Sequence, residues 1–149
     1  MATGSHHGDR PVRQTEGNTH MEVTFTVDDI VAKVRELAAE FPDRTVLVGC
    51  SNIDQGDRKS CIVGLALQRL GVPPQWFIEN QVPRANVNHV LRALNVTDRH
   101  ANLAGMSWLI AVQAQQDSRA RWSTAVQRAD FVRAVGRTGH SHHLNTHWS

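Results

Sequence analysis

Between Ser60 and Gly71 the chain reads Cys61-Ile62-Val63-Gly64-Leu65-Ala66-Leu67-Gln68-Arg69-Leu70. Wound as a helix, Ile62, Val63, Leu65, Ala66, Leu67 and Leu70 cover most of the circumference. A helix that is apolar nearly all round has to be surrounded, so the remaining sequence must supply elements that enclose it. Ser60 reads as its N-cap. Gly71 reads as its stop, with Val72-Pro73-Pro74 beyond.

The flanking segments meet that demand with amphipathic helices. Thr26 is placed as an N-cap with Asp29 three residues on, the spacing of a capping box. Val27, Ile30, Val31, Val34, Leu37, Ala38 and Phe41 then recur at helical spacing until Pro42 ends the run. The opposite face is acidic, with Asp28, Asp29, Glu36 and Glu40. At the first turn, Asp28 and Asp29 complement the helix dipole more simply than they form a catalytic carboxylate pair. A segment from Pro74 to Asn80 carries Trp76 and Phe77. Residues 85–94 point Val87, Val90, Leu91 and Leu94 inward. Asp98 is expected to open a helix over 101–116, whose apolar stretch Ala104–Ala114 predicts burial. A last helix over 123–135 carries an imperfect stripe of Trp122, Ala125, Val126, Ala129 and Val132, with Phe131 off it. Thr45-Val46-Leu47-Val48 is a β-branched run that reads as a strand.

The expected fold is therefore mainly α: a compact bundle of four or five helices around a central apolar helix, with one or two short β-strands near residues 45–50. At 149 residues this is one domain, placed at 21–136. Residues 1–20 are polar and aperiodic and read as a flexible leader or tag, with a natural start at Met21. Residues 137–149 read as a flexible His-rich tail carrying His140, His142, His143 and His147. A tail without rigid support makes a poor dedicated metal site. No apolar run approaches the roughly 18–20 residues a membrane helix needs, and no signal-peptide pattern opens the chain. The expected location is the cytoplasm of a bacterial or phage-infected cell, with thiols reduced and no membrane partner.

Chemistry-bearing motifs are few. Cys50 and Cys61, ten residues apart around a Gly-containing turn, are the candidates for a redox or disulfide pair. They lack the close C-x2–4-C spacing of a zinc site, and buried Cys usually acts as a small apolar group. The loop from Asn52 fails the EF-hand pattern, because position 5 is Gly56 and position 12 is Val63. No P-loop, dinucleotide fingerprint or nucleophile elbow is present, and no cofactor is implied. The net charge of +2 excludes a strongly basic nucleic-acid coat. The C-terminal third is locally basic, with Arg119, Arg121, Arg128, Arg133 and Arg137 against Asp117 and Asp130.

Two stretches together resemble a known group. Cys61 to Val72 resembles a C-I-V-G-x-A-L-x-x-L-G-V signature of small proteins of actinobacteria and their phages. Gln116-Asp117, Trp122 and Ala125-Val126 are similar to a Q-D-x-G-x-x-W-x-x-A-V stretch near the end of the same proteins, with Arg119 standing where they have Gly. The resemblance implies a compact helical fold and a bacterial or phage source. It implies no activity. Within it, Gly64 is expected to let a neighbouring helix approach closely.

The leading expectation is a small non-enzymatic interaction module that binds a protein partner or itself, as a homodimer through an apolar patch around Trp76, Phe77 and Phe131. One alternative is a small DNA-binding regulator using Arg119, Arg121, Arg128 and Arg133 on its C-terminal helices. A second is a cysteine-dependent enzyme or redox protein using Cys61 at a helix N-terminus.

Overall fold

The structure, a computed structural model, describes residues 12–14, 21–46, 51–54, 60–83 and 86–137. The chain is mainly helical. Strands β1 (Val12–Gln14) and β2 (Met21–Val23) precede helices α1 (Val27–Glu40), α2 (Ile62–Arg69), α3 (Pro74–Glu79), α4 (Val87–Ala93), α5 (Leu103–Asp117) and α6 (Trp122–Arg137). The strands form an antiparallel pair in which Val12 faces Val23 and Gln14 faces Met21. Strand structure therefore lies before α1, and three residues assigned from sequence to a leader pair with the domain. Thr45 and Val46 are irregular, while Leu47 and Val48 lie outside the described residues, as do the rest of the leader and residues 138–149.

Helix α1 forms as its sequence dictates. The Thr26 hydroxyl accepts from the Asp29 N–H at 3.2 Å, and the Asp29 carboxylate accepts from the Thr26 N–H at 2.8 Å. Val27, Ile30, Val31, Val34, Leu37 and Ala38 are buried. A third acceptor comes from far along the chain: the Asp98 carboxylate accepts from the Val27 N–H at 3.0 Å. Asp98 thus caps α1 rather than opening α5. The N-cap of α5 is Asn102, whose side-chain oxygen accepts from the Gly105 N–H at 2.9 Å and whose amide donates to Asp28 at 2.8 Å.

Helices α2 to α5 all end by one device. The residue after the C-cap turns left-handed and donates back to a carbonyl two positions before the cap; the next residue donates one position further back. The left-handed residues are Gly71 (φ 113°), Gln81 (59°), Asn95 (58°) and Arg119 (71°). The paired bonds run from Gly71 to Gln68 and Val72 to Leu67, Gln81 to Ile78 and Val82 to Phe77, Asn95 to Arg92 and Val96 to Leu91, and Arg119 to Gln116 and Ala120 to Gln115. Each reversal delivers an apolar residue toward the core, and Val72, Val82 and Val96 are fully buried. Glycine adopts this conformation freely, whereas a side chain there costs about 1 kcal/mol. Arg119→Gly is therefore expected to stabilise the protein by about 1 kcal/mol, seen as a rise in melting temperature of roughly 2–4 °C. An unchanged or lowered melting temperature would mean that the Arg119 side chain contributes more than its backbone costs.

The two buried turns around α3 also decide the fate of its aromatics. Anchored by Val72 before it and Val82 after it, the short helix turns one side into the core and leaves Ile78 on the other side exposed. Trp76 and Phe77 are 2% and 0% exposed and meet edge to face at 5.3 Å. The surface patch expected around Trp76, Phe77 and Phe131 is thereby corrected, since of the three only Phe131, at 62%, faces solvent.

Helix α2 packs against α1 and α5, and α5 packs in turn against α1, α4 and α6. Ile62, Val63, Gly64, Ala66 and Leu67 are buried, as an all-round apolar helix requires. The element pressed onto Gly64 is not a helix. A Cβ there would lie 2.5 Å from Asn52 Cα, so it is the backbone of Asn52 that approaches. Ser60 pairs with Ser51 in an isolated parallel bridge and accepts no role as cap; the N-cap of α2 is Cys61, without a side-chain hydrogen bond.

Candidate functional site

Helix α5 departs from its expected burial. One face carries Met106, Trp108, Leu109, Val112 and Gln116 into the core. The other face is also apolar but open: Leu103 is 67% and Ile110 41% exposed, and Ser107 and Ala114 lie on the same side. A two-faced apolar helix at the surface is an unfinished burial.

Beside this face α4 builds a groove. Its core residues Val87, Val90 and Leu91 fix the helix, so Asn88, His89 and Arg92 must point outward. The groove, about 540 Å3, is lined by His89, Arg92, Arg99 and His100 on its polar side and by Leu103, Met106 and Ile110 on its apolar side. Arg99 is steadied by a 3.1 Å bond from its guanidinium to the Val96 carbonyl. A second hollow of about 230 Å3 shares Asn86, Asn88 and Ile110 and extends to Gln113, Ala114 and Asp117. Burial pushes the Asp117 carboxyl above its ordinary range, opposed by hydrogen bonds from Gln116 and Gln113. The two hollows thus form one trough along α5. Its cations lie at the N-terminal end of that helix and its carboxylate at the C-terminal end, the same polarity as the helix dipole. Sequence spacing carried no signal for this cluster, because its members are spread over two helices and the turn between them.

The arginines singled out from the C-terminal third are placed differently. Arg119 occupies the left-handed turn after α5. Arg121 lies 3.9 Å from Asp43. Arg128 donates to the Gln115 side chain at 2.8 Å. Arg133 is half-buried and helps hold the Asp130 carboxyl down.

Asp130 joins three helices. Arg35 from α1 donates to both its oxygens at 2.9 and 2.7 Å, and the Trp108 indole from α5 donates at 2.9 Å. The Arg35 guanidinium also stacks 4.6 Å from the Trp108 ring. The hydrogen bond from Arg35 is the main reason that Asp130 titrates below the usual carboxylate range; burial opposes it, and Trp108 assists. Arg35 is correspondingly raised, first by the same bond. A depressed carboxylate pKa stabilises the fold above the unfolded-state value and loses that contribution as pH falls through the folded value. Both side chains are more than 40% exposed, so solvent screening limits the pair to under about 1 kcal/mol. Asp130→Asn is expected to flatten part of the decline in melting temperature below about pH 4. Parallel wild-type and variant curves through that range would show that Asp130 is not linked to folding.

A buried polar knot surrounds the start of α2. Ser51 and Asn52 donate side-chain hydrogen bonds to the Pro83 and Val82 carbonyls, both at 2.9 Å, and Asp54 accepts from the Ser60 N–H at 2.8 Å. Gln68 donates to the Asn52 carbonyl at 2.6 Å. Cys61 sits within this knot, 4% exposed and disulfide-bonded. The reduced thiol expected at this position is corrected: a sulfur held in a disulfide is no thiolate nucleophile. Cys50 is the sequence's only other cysteine and lies outside the described residues.

Among the described residues, no cluster of three or more His, Cys, Asp or Glu side chains has metal-binding geometry, and the histidines of the tail lie outside them. Among the same residues, no helix is long and apolar enough to cross a membrane. Comparison with protein-family models, with curated proteins and with solved structures finds no match to this chain.

Proposed function

We propose that this chain is an interaction module that docks a segment of a protein in the trough between α4 and α5. The observation that carries the reading is the open apolar face of α5, with Leu103 and Ile110 exposed beside a rim of Arg92 and Arg99. Apolar side chains of the docked segment cover Leu103 and Ile110, while its carboxylates meet the arginines. Buried area supplies affinity and the charges supply orientation and rate of encounter. An apolar floor suits a protein segment better than a phosphate backbone. The DNA-binding alternative has less support, since Arg121, Arg128 and Arg133 already face acidic or amide groups of the chain. The cysteine-enzyme alternative has less support as well, with Cys61 disulfide-bonded.

The test is selection of binders from a random peptide display library at nanomolar protein. Selected peptides are expected to combine apolar and acidic residues and to bind more weakly as salt rises. Leu103→Asp and Ile110→Asp are expected to lower their affinity by about 10-fold or more, the equivalent of losing one buried aliphatic contact. Peptides that bind the wild-type and both variants equally well would place docking elsewhere and overturn the reading.

A further inference from the structure

The occupant of the trough has a chemistry that the chain itself supplies. The open face of α5 runs from Leu103 through Ile110 to Asp117, seven residues to either side of Ile110 and about 21 Å in all. Ser107 and Ala114 on this face are small, which lets a second helix come within the 8–10 Å of close packing. Charge is distributed in a self-complementary way: Arg99 precedes the N-terminal end of the helix and Asp117 ends it.

Resting on the docking reading above, we infer that the segment received by the trough is α5 of a second copy of this chain, lying antiparallel across a two-fold axis near Ile110. A two-fold interface uses the same patch on both copies, so the patch must complement itself. Antiparallel pairing does this. Ile110 meets its counterpart on the axis, and Arg99 of each copy approaches Asp117 of the other. The two helix dipoles oppose, whereas parallel pairing would stack cations on cations. One helix face and the lip of α4 make an interface at the small end of the stable range, so dissociation is expected on the order of 10 µM.

Sedimentation velocity from about 1 to 500 µM, a range chosen to bracket that constant, tests the pairing, with circular dichroism confirming the fold of each variant. The wild-type is expected to pass from monomer to dimer, and Ile110→Arg to stay monomeric. Ser107→Glu, on the same open face, is a second disruptor should Ile110→Arg fold poorly. Arg99→Asp and Asp117→Arg are each expected to weaken the dimer about 10-fold, through loss of two symmetric contacts. The chain carrying both exchanges is expected to recover affinity, because the charges again oppose across the axis. A wild-type monomeric throughout, or a dimer that survives both disruptors, overturns the inference. Double exchange without recovery overturns the antiparallel arrangement. If a wild-type that stays monomeric still selects peptides that Leu103→Asp releases, docking stands and only the second copy is removed; if it selects none, both fall.

Discussion

Gly64→Ala is expected to destabilise the protein by about 3 kcal/mol or more, a large part of the 5–15 kcal/mol that typically holds a domain together. Helix propensity alone argues for the opposite sign, since alanine in a helix is favoured over glycine by roughly 0.5–1 kcal/mol. Packing decides. A methyl group at position 64 would overlap the Asn52 carbonyl and lie 2.5 Å from its Cα. That backbone has no room to retreat. The Asn52 N–H donates to the Pro83 carbonyl at 2.5 Å, its side chain to Val82, and its carbonyl accepts from Gln68. One residue earlier, the Ser51 carbonyl accepts from the Cys61 N–H at 2.6 Å. The methyl must therefore push α2 off the loop or break this set of bonds. Thermal unfolding is expected to shift down by roughly 10 °C. A melting temperature within about 2 °C of wild-type would show that the loop yields easily.

Gln116→Leu is expected to cost about 2 kcal/mol, chiefly through loss of the acceptor for the Ile62 N–H. Gln116 is fully buried on α5, and its side-chain oxygen accepts from the Ile62 N–H at 2.7 Å. Cys61, the N-cap of α2, provides no side-chain hydrogen bond, so the cap arrives from another helix. Leucine preserves the volume of the side chain and isolates the polar loss. Ile62 is 0% exposed, which denies water access to the orphaned N–H. Denaturant unfolding reads the global loss, and hydrogen exchange at the Ile62 amide reads it locally. A loss below about 0.5 kcal/mol, with unchanged exchange at Ile62, would show that Gln116 does not cap α2.

Both positions stand in segments conspicuous in the sequence, yet the partner of neither was legible there. Gly64 was expected to face a helix and faces a loop backbone. Gln116 stood beside Asp117 with no visible connection to Ile62, 54 residues away. The trough shows the same limit. Ile110 belongs to the apolar stretch Ala104–Ala114 from which burial was expected, and it remains open, as does Leu103 just before it. Trp76 and Phe77, expected at the surface, are core. The cationic rim of His89, Arg92, Arg99 and His100 follows no motif spacing, because α4 and the turn after it assemble the rim in space.

What could be read from residues alone was local. The Thr26–Asp29 capping box, the end of α2 at Gly71, and the inward faces of α1 and α4 all follow from side chains within four positions of each other. At that range the helical repeat determines which groups meet. The sequence also established that an apolar helix at Ile62–Leu70 needed an enclosing bundle. Which of two apolar helices would be enclosed, and which would keep a bare face, belonged to the tertiary structure. Burial depends on how many neighbouring elements pack against a helix, and that number is set by contacts between residues tens of positions apart.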